Sequence, residues 1–315
     1  RVELMLKEAI TPSAWDRFQL KGDCEYVHVF PGGGRYRMVL MKQRFGIEFS
    51  ARIVPREIRS FEQSGLPAAA EELIKWKQGL VLVTGPAGSG KTSTLATLVE
   101  MINKERDEHI ITIEEPIEIV FDSKMSQVTQ REIGLHTLSQ ENALRAALRE
   151  DPDIVVVSEL RDLRTIRLAV TAAETGHLVL GTMNTNCASQ TVTTLIDSFP
   201  PDEQTIITNM ISESLRGVVS QQLIPTVNAD NVVSAFELLL VVPSVASLIR
   251  TSNLQQINNA ISMGKNAGMV LLDESLQKLV SEGTITGKEA HSRAINQKLF
   301  AQYAEAMMPL LRAGV

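Results

Sequence analysis

Residues 80–92 read LVLVTGPAGSGKT, and this stretch restricts the possible fold more than any other in the chain. Four apolar residues without polar alternation suit a strand covered on both faces. They lead into GPAGSGKT, which fits the pattern G-x-x-x-x-G-K-[ST], and then into a segment expected to be helical over 93–102. In that context Gly85, Gly88 and Gly90 let the backbone wrap its N–H groups around a phosphate, and the helix N-terminus adds a positive dipole. Lys91 has the reach for the β- and γ-phosphates of a nucleoside triphosphate, and the Thr92 hydroxyl suits Mg2+. The expected nucleotide-binding residues are therefore Gly85, Pro86, Ala87, Gly88, Ser89, Gly90, Lys91, Thr92 and Ser93.

The surrounding chain alternates as a phosphate loop of this kind requires. Further strands are expected at 110–113 (IITI), 154–157 (IVVV) and 178–180 (LVL). Ser139 is placed to cap a helix in which Ala143, Leu144, Ala147 and Leu148 share a face. Asp162 is placed to cap another, with Leu163, Ile166, Ala169, Val170 and Ala173 apolar and Gly176 just past its end. This alternation predicts a doubly wound α/β domain. From about Glu203 the chain reads as mostly helical, with Leu271, Leu272, Leu276 and Leu279 spaced as a core stripe. The first sixty residues differ: 25–30, 35–43 and 46–54 read as three strands, the first two joined by PGGG, with a polar hinge over 55–65.

Composition removes several function classes. No apolar stretch approaches the roughly 18 residues of a membrane span, and the longest, 236–242, is broken by Glu237 and stopped by Pro243. Cys24 and Cys187 form no pattern, so neither a disulfide framework nor a zinc site is expected, and a reducing cytoplasmic location follows. A net charge of −6 argues against a chain built around nucleic acid. The chain starts at Arg1 without Met, so its natural N-terminus is expected to be missing.

Carboxylates should face the loop. The run 154–157 delivers Glu159 to the carboxyl end of its strand, the edge at which such sheets bind ligands. There Glu159 could hold Mg2+ through water or orient an attacking water. The strand 110–113 runs into Glu114, Glu115 and Glu118, three carboxylates that repel unless a cation or solvent separates them. One of them could serve as general base, and spacing alone does not select it. The strand 178–180 ends in the polar cluster TMNTN, whose Asn184 is expected near the γ-phosphate or a neighbouring subunit. His109 and His136 read as structural groups.

Taken together, the residues resemble the secretion-type ring ATPases, and within them the type IV pilus retraction ATPases. The resemblance runs in order through LVLVTGPAGSGKTSTLA, HIITIEEPIEIV, VTQREIG, ALRAALREDPDIVVVSELRD, TIRLAVTAAETGHLVLGTMNTN, SESLRGVVSQQLIP and GMVLLDESLQKLVSEGTIT. It implies a RecA-like P-loop ATPase core with a helical C-terminal subdomain over 59–315, preceded by a small PAS-like α/β domain over 1–58. The family's N-terminal domain is longer, so this one is expected to be truncated. The resemblance further implies a homohexamer that hydrolyses ATP with Mg2+ to power pilus retraction and twitching motility. It would work in the cytoplasm against the inner membrane, with the pilus platform protein, other pilus machinery and in some systems a paralogous ATPase as partners. Lys91 and Thr92 match the family's Walker A pair and Glu159 its Walker B glutamate. Glu114, Glu115 and Glu118 occupy its aspartate box, where Glu118 matches the catalytic glutamate and Glu115 replaces the aspartate. Glu174 and His177 belong to its histidine box and are expected at the nucleotide. Arg37 and Arg52 match arginines that reach an ATP bound at a subunit interface.

Three further departures stand out. Ser158 replaces a glycine before the Walker B glutamate, which would tighten or shift the backbone there. Asn184 replaces the second histidine of the box, and SVASLIRT (244–251) has Ala246 where the family's AIRNLIRE signature has its first arginine. Assembly and type II secretion ATPases usually carry a four-cysteine zinc insert that this chain lacks. A retraction-accessory paralogue shares the same chemistry, and a weakly hydrolysing ring subunit is motivated by Ser158 and Asn184. A nucleic-acid motor has only the fold in its favour.

Overall fold

The apolar runs at 80–83, 110–113, 154–157 and 178–180 stand in one sheet, each hydrogen-bonded to a neighbour in the set. They belong to a computed structural model that describes residues 10–305. Three strands come first: β1 (Asp23–Val29), β2 (Arg35–Gln43) and β3 (Gly46–Val54), an antiparallel sheet in that order. Helix Pro12–Lys21, unanticipated from the sequence, covers one of its faces through Ala14 and Phe18, which pack with Cys24, Tyr26, Met38 and Leu40.

The larger sheet contains β4 (Gly79–Thr84), β5 (His109–Glu114), β6 (Gln127–Glu132), β7 (Ile154–Val157), β8 (Leu178–Met183), β9 (Leu215–Pro225) and β10 (Val232–Leu240). Their order is β10-β9-β4-β8-β7-β5-β6, with every pairing parallel except β9 with β10. Burial of both faces explains why the central runs carry no polar residue except Thr112. Leu80, Leu82, Ile111, Ile113, Val155, Val157 and Val179 enter the core on one face, and Val81, Val83, Ile110, Ile154, Val156, Leu178 and Leu180 enter the core on the other. Full burial of each such side chain stabilises the fold by about 1.5–3 kcal/mol.

Both anticipated caps are made. Ser139 Oγ accepts from Asn142 N–H at 3.2 Å at the head of helix Gln140–Ala147. Asp162 accepts from Arg164 and Thr165 N–H, each at 3.0 Å, at the head of helix Leu163–Glu174. The phosphate-loop helix is longer than expected, Lys91–Glu105. The stretch from 203 onward is mostly helical as expected, but it also holds β9 and β10, which the sequence did not reveal. β9 hid behind Ser220, Gln221 and Gln222, polar side chains that are nonetheless buried. β6, reading QVTQRE at the sheet edge, carries too few apolar residues to register as a strand. Beyond β10, helix Leu272–Ser281 buries Leu272 and Leu276 as the stripe predicted.

Candidate nucleotide site

β4 ends at Thr84, whose Oγ1 lies 2.8 Å from Ser220 Oγ on β9. The loop that follows leaves the sheet at Gly85, with φ of 147° there, 77° at Gly88 and 88° at Gly90. A side chain at Gly85 would bring its Cβ within 2.2 Å of Gln221 O, and one at Gly90 within 2.9 Å of Gln221 Nε2. Glycine is therefore required both by the turn and by the closeness of β9. Gln221 Oε1 also accepts from Thr94 Oγ1 at 2.5 Å, which ties the loop's helix to the same strand.

Lys91 Nζ donates to Gly85 O at 2.9 Å and to Pro86 O at 3.0 Å, so the ammonium rests on the rim of the loop. Burial pulls its pKa below the ordinary lysine value, with Glu159 opposing and Arg161 reinforcing the shift. Thr92 is exposed at the mouth. Ser89 is buried beneath the loop, and its Oγ has no hydrogen-bond partner. An orphaned hydroxyl inside a cradle of glycine N–H groups, beside a lysine held only by carbonyls, suits a phosphate and its counter-ion.

Glu159 is fixed at the ends of β7 and β8 by its neighbours. Ser158 N–H donates to Ile113 O at 3.0 Å, Leu160 N–H to Thr182 O at 2.8 Å, and Gln140 Nε2 to Glu159 O at 2.7 Å, while Thr182 Oγ1 holds Ser158 O. Ser158 has no positive φ, and its N–H continues the ladder to β5. The Glu159 carboxylate is shared: Oε2 accepts from Arg161 at 2.6 Å and Oε1 from Asn184 Nδ2 at 2.5 Å. Asn184 thus lies at the loop edge of the sheet, where its partner is the Glu159 carboxylate.

The acidic run resolves into three environments. Burial pushes the Glu114 pKa up to about 7, against hydrogen bonds from Thr112 Oγ1 (2.6 Å) and Gln130 Nε2 (2.9 Å), with Glu118 and Glu132 pushing the same way as burial. Glu115 is exposed. Glu118 Oε1 is held by Arg37 at 2.5 Å, and Arg35 donates to Glu118 O at 3.1 Å. Arg37 also pairs with Glu25 of β1, and Arg35 and Arg37 together clamp the small sheet to the acidic run from β2. Arg52 faces Arg37 in the β2–β3 register, is exposed, and makes no ion pair among the described residues.

Glu174 and His177 are not brought to this site, which corrects the expectation for them. They precede β8, at the sheet edge opposite the loop, and the six residues of β8 separate them from Asn184 by about 20 Å. Glu174 is exposed, and His177 Nδ1 lies 3.1 Å from Ala172 O, closing the preceding helix. His109 and His136 are structural: His109 Nε2 meets Thr129 Oγ1 at 3.3 Å, and His136 Nδ1 accepts from Glu132 N–H at 2.9 Å. Sequence reasoning missed Arg161, Gln140 and Gln221 as parts of the site. Arg161 had a visible signal, an arginine two residues beyond a strand-end glutamate. Gln221 had only its polarity inside a strand that was itself unrecognised.

Comparisons with known proteins identify the family. The type II/IV secretion system protein family matches residues 49–308. The chain is 42% identical over 281 residues to a twitching motility protein of Neisseria gonorrhoeae, covering 89% of this chain and 75% of that one. It is 43% identical over 264 residues to the type IV pilus retraction ATPase PilT of Pseudomonas aeruginosa, covering 84% and 76%. Among solved structures, that of the pilus retraction motor PilT with bound ADP superposes with a TM-score of 0.87 at 39% identity, covering 95% of this chain and 85% of that one.

Proposed function

The chain belongs to the type II/IV secretion system protein family, and from that premise we propose that it is a Mg2+-dependent, ring-forming ATPase motor that powers retraction of a type IV pilus. It is an ATP-hydrolysing enzyme with a RecA-like core. One observation carries the chemical part: the glycine loop, Lys91, Thr92, Glu159 and Asn184 gather at the carboxyl edge of one sheet. The relatives named for retraction and twitching support the choice of work done.

Lys91 would leave the loop carbonyls for the phosphates, and Ser89 and the glycine N–H groups would fill the remaining phosphate contacts. Thr92 and Glu159 are the residues that would hold Mg2+, which when bound would neutralise charge on the phosphates. Glu159, aligned by Asn184, would orient the attacking water, and Glu118 would take its proton. Arg37 and Arg52 would serve a nucleotide bound to a neighbouring subunit of a homohexamer. The residues up to 58 would form the PAS-like domain and 59–315 the motor. The ring would work in the cytoplasm against the inner membrane, with the pilus platform protein, other pilus machinery and a paralogous ATPase as partners.

ATP hydrolysis by the purified protein in Mg2+ tests this reading. Turnover should fall by about 100-fold or more in Glu159→Gln. Wild-type turnover no higher than that variant's would overturn it, as would failure to restore twitching to a strain lacking its own retraction ATPase.

A further inference from the structure

Glu237 is wholly buried on β10, and nothing in the chemistry above uses it. In register it faces Ser220 of β9, which in turn faces Thr84 of β4, the residue just before the phosphate loop. Paired residues on neighbouring strands share a face, so the carboxylate stands level with the nucleotide edge, two strands away.

Its two oxygens each accept from a helix that lacks a side-chain cap of its own. Oε1 accepts from Ala188 N–H at 2.6 Å, at the head of helix Ala188–Asp197. Oε2 accepts from Leu272 N–H at 3.5 Å, a longer and weaker contact at the head of helix Leu272–Ser281. The two oxygens of a carboxyl group suit N–H groups at helix starts, which have no partner within their own helix.

Helix Ala188–Asp197 begins only four residues after β8 ends, and Asn184 lies in that turn. The turn is short and internally braced: Thr185 Oγ1 lies 2.7 Å from Thr191 Oγ1, and Gln190 accepts from Asn186 N–H at 3.0 Å. With β8 fixed at one end, the place of the helix start decides where the Asn184 amide meets Glu159 Oε1.

We propose that Glu237 is a positioning residue for hydrolysis: by holding Ala188 N–H it sets Asn184 against Glu159, and by holding Leu272 N–H it ties that alignment to the C-terminal helices. This rests on the reading of Glu159 as the water-orienting carboxylate. A residue acting through Asn184 changes the chemical step and leaves phosphate binding alone, because Lys91 and the helix that follows the loop are held by other contacts.

The test measures ATP turnover and ADP affinity of the full chain as wild type, Glu237→Gln, Asn184→Ala and their double variant. Glu237→Gln is expected to lower kcat about tenfold with KM and ADP affinity changed less than about twofold. Asn184→Ala should lower kcat comparably, and the double variant should be no slower than the slower single one. Wild-type kcat in Glu237→Gln, or losses that multiply in the double variant, overturns the proposal. If Glu237→Gln does not fold, Glu237→Asp keeps the carboxyl group while withdrawing the oxygens, and the same two criteria apply to it. Glu159→Gln separates the two levels: undiminished turnover there overturns the site reading itself, whereas a large loss there with an independent Glu237 overturns only the positioning role.

Discussion

Glu159 is the residue on which the proposed chemistry converges, and in this structure its carboxylate is already shared between an amide and a guanidinium. Asn184 supplies one of those donors without needing a charge. The Asn184→His variant therefore keeps a donor, and its turnover should stay within about twofold of wild type, whereas Asn184→Ala should lose about tenfold; steady-state ATPase rates decide between them. A marked gain in Asn184→His would mean that the position needs a cation. Two buried carboxyls, Glu114 and Glu237, carry a different consequence. Burial pushes the pKa of each up to about 7. For a carboxyl whose folded pKa is raised, the associated stability is present below its unfolded value near 4.5 and is lost as pH rises through about 7. Denaturant unfolding of Glu237→Gln beside wild type should show the difference moving in the variant's favour between about pH 5 and about pH 8. A constant difference across that range would refute the shifted titration.

At the scale of elements, the phosphate-loop strand, the two capped helices and β7 were legible because each rests on local chemistry: unbroken apolar runs, a serine or aspartate at a helix start, and glycine where φ is positive. Strand IVVV was found residue for residue, since Asp153 before it and Ser158 after it bound the apolar run on both sides. What the sequence concealed depends on distant partners. β9 is a strand because β4 and β10 pair with it, and its Gln221 is buried because the loop of Gly85 and Gly90 leans on it. Glu174 and His177 were misplaced because their motif continues into Asn184, while a strand carries its two ends to opposite edges of the sheet. Helix Leu163–Glu174 offers a direct check on capping. Asp162→Ala removes the acceptor for two N–H groups and for Thr165 Oγ1 (2.7 Å), and it should cost about 1–2 kcal/mol by chemical denaturation. Leu82→Ala, in the middle of β4, should cost about 2–5 kcal/mol by the same measurement.

At the scale of the whole molecule, the two sheets meet through β2, where Arg35 and Arg37 hold the segment around Glu118. The guanidinium that would serve a neighbour's nucleotide is thus engaged with its own chain's acidic run. If Arg37 acts across a subunit boundary, a ring of Arg37→Ala chains and a ring of Glu159→Gln chains should each be nearly inactive. Mixing the two before assembly should restore part of the turnover, because some sites then combine an intact arginine with an intact glutamate. Mixtures no more active than their components would confine Arg37 to its own subunit.

The position of β9 beside β4 also has a bearing on how the chain acquires its activity. Ser220 and Gln221 lie more than a hundred positions downstream of the loop they support. Contacts so far apart along the polymer form late, since closing long intervening segments is entropically costly. During synthesis the GPAGSGKT segment leaves the ribosome well before the strand that braces it. A nascent chain ending before residue 215 would carry the complete loop sequence and yet lack the wall against which the loop is moulded. Affinity for nucleotide should then arise abruptly, as a property of the closed sheet, when the hairpin of β9 and β10 docks.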